Sequence, residues 1–361
     1  MSQVPLNYTL HINRRDFLPA VIGAGISLVM LKTGFLSLFF LVPLGFVAYR
    51  CHYRVAWLAF LLALGGNAII SIAYAAGRAV PFEAIGLDVL YYSAITFIFI
   101  WIIASPPSFQ TKMSWPVKLV IGGSLGSLLF NFILLRNMDS QAFVEYVSYF
   151  VNSLISAYQS AKIDVVQTAM LESLTPEFVM EIIMAFMLRG GSLVSCVLLF
   201  FVCCQISLIL ARLSFRLFGK NIQEKISGEI KLNGINPLAG FHVNPMVIWV
   251  FSFSLLLVVI TRTVKLEIPE IILWNVLIIC SILYLAQGLG IMQFFLVRPS
   301  FSPFLRMILV IAFVFLLFSP FINAFLLGGL VLLGIAENWL PLRVPKQSGP
   351  PSTPEAGDGE S

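Results

Sequence analysis

Long apolar runs alternate with short polar gaps along this chain of 361 residues. A transmembrane helix needs about 20 consecutive apolar residues, with a range of about 17–25. On that criterion the chain has about eight to ten spans, and ten is the leading interpretation. The expected spans lie near 16–31, 34–49, 55–77, 85–104, 117–135, 191–217, 246–261, 271–297, 304–318 and 321–336.

The runs are continuous and lack the apolar–polar alternation of a barrel strand. The predicted fold is therefore all-α: a polytopic transmembrane helical bundle with an outer amphipathic helical segment. Composition supports this, because 59% of the residues are apolar and only 11% are charged. A lipid bilayer is the expected surrounding. The net charge of +5 is spread over several gaps, so no nucleic-acid partner is expected.

The basic residues indicate an orientation. With an N-terminus in the cytoplasm, about 15 Lys and Arg residues fall on the cytoplasmic side and about seven outside. This bias predicts that both termini lie in the cytoplasm. The resemblance to a bacterial family described below implies that the membrane is the bacterial cytoplasmic (inner) membrane.

Five segments follow from the pattern. Residues 1–15 are a cytoplasmic N-terminus, and 16–135 form a first bundle of about five spans. Residues 136–190 form an outer amphipathic cap. Residues 191–344 form a second bundle with a cytoplasmic loop at 220–245, and 345–361 form a disordered cytoplasmic tail.

Two local signals shape the cap. Phe143, Val147, Val151, Leu154 and Tyr158 recur every three to four residues, which is typical of an amphipathic helix. A second helix is expected to begin at Thr175-Pro176-Glu177, with threonine as N-cap and proline at the first helical position. It reaches Gly190-Gly191, which is either a kink outside the membrane or a broken helix within it.

Polar residues near the spans are the candidate substrate-binding groups, because charge is costly inside a bilayer. Glu181 and Arg189 lie eight residues apart, about two helical turns, and so are expected to share a face. With Gln287 and Asp88 they are the predicted lining of a small-molecule site. The alternative is a pair of interfacial side chains, and an interhelical hydrogen bond for Gln287.

Small residues spaced by four permit close helix crossing. Ala20 with Ala24, and Gly122 with Gly126, are candidates for helix packing or for docking a partner. The docking alternative predicts a non-transporting membrane scaffold in envelope assembly.

Enzyme and metal signatures are lacking in the sequence. It contains no Walker A, HExxH or GxSxG motif, and the five cysteines and three histidines have no metal-ligand spacing. We expect no enzyme activity, no metal and no cofactor. A transporter driven by ATP would need a separate ATPase subunit.

Two C-terminal segments resemble a known family. The run Leu285-Ala286-Gln287-Gly288-Leu289-Gly290 is followed by Gln293-Phe294-Phe295. The chain then ends its last span with Gly334 and the segment from Glu337 through Trp339 to Arg343. These segments resemble the YybS-like (DUF2232) family of bacterial multi-pass membrane proteins, best over about 245–345.

That family is similar to the substrate-binding S components of energy-coupling-factor transporters. The resemblance implies a substrate-binding or permease subunit for a small solute. It also implies a membrane coupling subunit, with a separate ATPase, as partner.

Overall fold

The computed structural model describes residues 14–51, 53–78, 82–104, 113–138, 140–160, 175–218, 238, 240–297, 302–319, 322–340 and 342–343. Within these ranges every regular element is a helix, which confirms the all-α prediction. The helices are α1 (Arg14–Leu31), α2 (Leu41–Arg50), α3 (Tyr53–Arg78), α4 (Phe82–Ile103), α5 (Trp115–Asn137), α6 (Gln141–Ser160), α7 (Pro176–Phe186), α8 (Ser192–Phe218), α9 (Val247–Val264), α10 (Glu267–Val297), α11 (Pro303–Phe318) and α12 (Ile322–Ala336). A 3-10 helix (Gly34–Phe39) precedes α2, and a π-helical turn (Met187–Gly191) joins α7 to α8.

Six of the described helical segments are long and apolar enough to cross a membrane. They are Tyr53–Gly77, Gly86–Ile103, Trp115–Asn137, Glu177–Ser214, Val247–Val264 and Glu267–Leu296. A seventh span results if the bent pair α11 and α12 crosses as one. The multi-pass prediction is confirmed.

The number of full-length spans is lower than the leading interpretation of ten because four expected spans form short helices. The apolar helix Phe17–Leu31 has 15 residues, α2 has 10, α11 has 16 and α12 has 15. At 1.5 Å per residue a helix of this length spans at most about 24 Å, less than the roughly 30 Å of a bilayer core.

Large apolar side chains point outward along the spans. Ile69 on α3, Trp249 on α9 and Phe325 on α12 are 70%, 73% and 82% exposed. A soluble protein would bury such a surface, whereas a bilayer solvates it. The outward face of the helices therefore fits a lipid environment.

Two compact units divide the chain. One contains the described helices up to residue 218 together with 249–280, and the other contains 236–248 and 281–361 in their described parts. This division falls within α10, which contributes its first half to one unit and its second half to the other. The expected tail 345–361 lies outside the described residues, as do residues 1–13 of the expected N-terminal segment 1–15 and residues 220–237 and 239 of the expected loop 220–245.

In the first unit α1 packs on α2 and α3, α4 packs on α3 and α5, and α8 packs on α2 and α5. The interior contains aromatic pairs such as Phe99 and Phe200, whose ring centroids lie 6.1 Å apart. Small residues allow close crossings. A Cβ atom on Gly23 would meet Val47 of α2 at 2.5 Å.

A helix is present over Gln141–Ser160, within the amphipathic segment expected after residue 136. Val147 and Val151 of the predicted apolar stripe are buried, whereas Glu145 and Asn152 are exposed. Helix α6 packs on α7. The N-cap expected at Thr175 is also present, because its side-chain oxygen accepts from the backbone N–H of Phe178 at 3.3 Å. Residues 161–174 of the expected cap lie outside the described residues.

In the second unit α10 and α12 cross at glycines. A Cβ atom on Gly288 would meet the backbone carbonyl of Leu330, and one on Gly334 would meet the backbone carbonyl of Tyr284. Neither neighbour can yield, because both are helical backbone. This crossing therefore depends on the absence of side chains at the two positions.

We predict that Gly334→Ala lowers the thermal unfolding midpoint of the purified protein. The added methyl group would overpack the crossing, which costs about 1–3 kcal/mol. Gly329→Ala is the matched control, because a Cβ atom on Gly329 of the same helix meets nothing within 4 Å. Equal midpoints for the two variants would contradict the close crossing.

Candidate functional site

Helix α7 does not continue smoothly into α8. At the π-helical turn the backbone N–H of Ser192 donates to the carbonyl of Met187, five residues back. Gly190 has φ 119°, a left-handed value that only glycine adopts without strain. Both Gly190 and Gly191 are buried, so the break lies inside the packed protein and not on its surface.

The break frees a carbonyl, and a distant helix binds it. In an α-helix the carbonyl of Leu188 would accept from the N–H of Ser192, which here donates to Met187. The side-chain amide of Asn275 on α10 donates to the Leu188 carbonyl at 2.7 Å and to Ile271 at 2.9 Å. Asn275 therefore joins α10 to the broken helix.

Two serines bind the other side of the turn. The hydroxyl of Ser192 donates to the carbonyl of Met187 at 2.9 Å. Ser127 on α5 lies 2.7 Å from the Ser192 hydroxyl and, since that hydroxyl's proton is in use, donates to it. Helix α5 is thus also tied to the break.

Next to the break lies a pair of opposite charges. Arg189 Nη2 lies 3.5 Å from Glu270 Oε1, and the indole N–H of Trp274 donates to the same oxygen at 3.3 Å. The Glu270 side chain is 12% exposed and that of Arg189 is 45% exposed. We call Arg189, Ser192, Glu270, Trp274 and Asn275 the π-turn site.

A groove of about 440 Å³ lies between α9 and α10 beside this site. It is lined by Leu255, Val258, Val259, Arg262, Thr263 and Trp274. The groove is open along the outer surface of α9, where Leu255 and Val259 are exposed. Trp274 belongs to both the groove and the π-turn site, so the two adjoin each other.

The structure distributes the four predicted substrate-binding residues over separate places. Arg189 is in the π-turn site, and Glu181 is an exposed residue of α7. Asp88 accepts a hydrogen bond from Ser71 at 3.4 Å and lies 3.6 Å from the ammonium of Lys32. Gln287 belongs to the second unit.

The side chain of Gln287 makes two hydrogen bonds within the second unit. Its oxygen accepts from the backbone N–H of Val243 at 2.7 Å, and its amide donates to Glu337 at 2.9 Å. The side chain is 1% exposed. This arrangement corresponds to the structural alternative, in which Gln287 joins helices and does not line a cavity.

Glu337 and Arg343 complete that arrangement as a buried ion pair. Arg343 Nε and Nη2 donate to the two oxygens of Glu337 at 2.6 and 2.5 Å, and both side chains are 3% exposed. The guanidinium also donates to the carbonyls of Leu238 and Phe241. We call Gln287, Glu337 and Arg343 the carboxylate clip, because they bind the 238–243 segment to α10 and to the end of α12.

The clip controls the charge state of Glu337. Burial by itself raises the pKa of a carboxyl group. Hydrogen bonds from Arg343 and Gln287, with the charges of Arg343 and the His242 ring, nevertheless hold the pKa of Glu337 below its ordinary value. Glu337 therefore remains ionised as the anchor of the clip.

The small-residue pairs pack inside the chain. Ala20 and Ala24 are 0% and 3% exposed. A Cβ atom on Gly122 would meet Ile102 at 2.7 Å, and one on Gly126 would meet Ile95 at 3.3 Å. These positions correspond to the internal-packing alternative, because other helices of the chain cover their surfaces.

Glu270 and Lys32 are site residues that we did not predict. One local signal could have indicated Glu270: it lies four residues before Trp274, and so on the same helix face, near the start of an apolar run. No such signal pairs Lys32 with Asp88. Among the described residues, no group of three or more His, Cys, Asp and Glu side chains could hold a metal ion.

Comparison of the chain with protein-family models, with curated proteins and with solved structures gives no match. The resemblance to the YybS-like family therefore stays a prediction. The two segments that carry it meet in the structure, since Gln287 bonds to Glu337 and Gly288 crosses α12 beside Gly334.

We predict that Glu337→Gln lowers the thermal unfolding midpoint at pH 7, because it leaves the buried guanidinium of Arg343 without its carboxylate. Breaking a buried pair in this way costs about 3–5 kcal/mol. Since the pKa of Glu337 is lowered, its stabilisation is complete above the ordinary carboxyl pKa of about 4.3 and is lost as the pH falls through the folded value. The difference between wild type and variant should therefore shrink below about pH 4.

The exposed Glu181→Gln is the control for this measurement and should leave the midpoint nearly unchanged at pH 7. A Glu337→Gln variant as stable as the wild type at pH 7 would contradict the clip.

Proposed function

We propose that this chain is a substrate-binding or permease subunit for a small solute, and that the π-turn site binds the solute. The observation that supports the proposal is the buried helix break at Gly190 with a charged pair beside it. Broken helices are a common way to build transporter sites. Here Asn275 binds the freed carbonyl of Leu188, so the charged groups beside the break are the part of the site proposed to meet the solute. A functional role is also common for π-helical turns.

The charges suggest the chemical class of the solute. Glu270 Oε1 lies 3.5 Å from Arg189 Nη2, which is longer than a direct hydrogen bond. A solute carboxylate could replace Glu270 at the guanidinium and make bidentate hydrogen bonds there. Glu270 would keep the indole N–H of Trp274. The solute is thus proposed to be a small carboxylate that enters by the groove between α9 and α10.

The proposal also covers the membrane, the orientation of the chain and its partner subunits. The basic residues favour an orientation with both termini in the cytoplasm, and the resemblance implies a bacterial cytoplasmic membrane. The resemblance adds a membrane coupling subunit with a separate ATPase. No catalytic step is proposed for this chain.

Thermal-shift measurements on the purified protein test the proposal. The panel consists of carboxylate-bearing vitamins and metabolites, each paired with its uncharged methyl ester. We expect at least one carboxylate to raise the unfolding midpoint and its ester to have no effect. Ligand at a hundred times its Kd adds about 2.7 kcal/mol.

Arg189→Gln should weaken that ligand about ten- to a hundredfold, because it removes a charge-assisted hydrogen bond worth about 1.5–3 kcal/mol. The matched control is Arg212→Gln, an exposed arginine on α8. The proposal is overturned if no carboxylate in the panel stabilises the protein, or if Arg189→Gln keeps the full shift.

A further inference from the structure

A buried amide in α3 has no hydrogen-bond partner. Asn67 is 0% exposed, and neither its amide nitrogen nor its carbonyl oxygen makes a hydrogen bond to any described residue. An unsatisfied pair of amide groups inside a membrane protein is costly. The position therefore needs a partner that the described residues do not supply.

The helices around Asn67 bring other polar groups to the same depth. Ser71 of α3 bonds to Asp88 of α4, and Trp57 of α3 bonds to the carbonyl of Ala104, so the two helices are antiparallel. Asn67 lies one turn before Ser71 in α3, and Tyr92 lies one turn after Asp88 in α4. Because the two helices are antiparallel, both steps lead in the same direction, and we infer that Asn67 and Tyr92 lie at the same level.

Helix α1 closes this layer. A Cβ atom on Gly66 would meet the side chain of Leu28, which places Asn67 level with Ser27. The Ser27 hydroxyl donates to the carbonyl of Phe40 at 2.7 Å and lies 3.4 Å from the Tyr92 hydroxyl. Ser27 and Tyr92 are 0% and 2% exposed. We call Ser27, Asn67 and Tyr92 the buried polar layer.

A charged pair covers the layer at one end. Lys32 and Asp88 lie one turn further out, at the end of α1 and near the start of α4, and their side chains are 42% and 57% exposed. The basic-residue bias predicts that this end faces the outside. Lys32, Asp88 and Ser71 thus form a row of polar side chains between the exposed end of the helices and the level of Asn67.

We propose that the buried polar layer binds a small uncharged molecule with both a hydrogen-bond donor and an acceptor, held by the amide of Asn67. The amide offers one acceptor oxygen and two N–H donors, which match a hydroxyl or carboxamide group or a water molecule. A charged guest is disfavoured, because no charged side chain lies in the layer to balance it. The site does not use Arg189 or Glu270, so this proposal and the proposed function can fail independently.

Asn67→Leu tests the proposal, since leucine has nearly the same volume without the polar atoms. If a guest occupies the site, the variant loses those hydrogen bonds and its unfolding midpoint falls by about 2–4 °C. If the amide is dry and unpaired, leucine removes an unsatisfied group and the midpoint rises. An unchanged or raised midpoint overturns the proposal. Asn137→Leu is the control, because the side-chain amide of Asn137 donates to the carbonyl of Ile133 in its own helix.

Acetamide and glycerol distinguish the two sources of the guest. Stabilisation of the wild type by either probe, and not of Asn67→Leu, identifies a carboxamide- or hydroxyl-bearing solute. If the unfolding midpoint of Asn67→Leu falls but neither acetamide nor glycerol stabilises the wild type, the result is the one expected when the guest is water.

If Asn67→Leu does not fold, Asn67→Cys provides a second measurement. The neutral reagent methyl methanethiosulfonate should modify this cysteine in membranes, as read by mass spectrometry of its peptide. Ala59→Cys, two turns deeper on the same helix and equally buried, should remain unmodified. No modification at position 67 would overturn the proposal.

Discussion

In the hydrocarbon core of a bilayer no water competes for backbone N–H and C=O groups, so each must be bonded within the protein. The helices of this chain satisfy that requirement along their length. Where a helix is interrupted, a side chain must supply the missing partner. Asn275 does so for the carbonyl of Leu188, and the two serines at positions 127 and 192 do so around Met187.

The same constraint explains where charge is found. Arg189 and Glu270 lie beside the helix break, and Glu337 and Arg343 lie directly after the last helix. Each of these four charged groups has an opposite charge within 4 Å. The break and the clip are therefore two places where buried charge is balanced by the chain itself, and the π-turn site at the break adjoins a groove.

Much of the fold could be predicted because its signals are local. Apolar runs predicted the long helices, and Thr175 with Pro176 predicted the start of α7. Two adjacent glycines predicted the break at Gly190. Long-range pairs could not be predicted in this way. Asn275 reaches a carbonyl 87 residues away, and Gln287 reaches Glu337 across 50 residues. Their partners depend on which helices are neighbours, and apolar runs of similar composition do not encode that choice.

The hydrogen bond from Asn275 to the Leu188 carbonyl holds the helix break in place. Hydrogen–deuterium exchange of the protein in lipid nanodiscs tests this role directly at residues 187–192. We expect Asn275→Leu to speed exchange there at least about tenfold, because the loss of about 1.4 kcal/mol of hydrogen bonding changes an opening equilibrium by that factor. Asn137→Leu should leave it unchanged. Equal exchange at 187–192 in the wild type and in Asn275→Leu would mean that Asn275 does not hold the helix break in place.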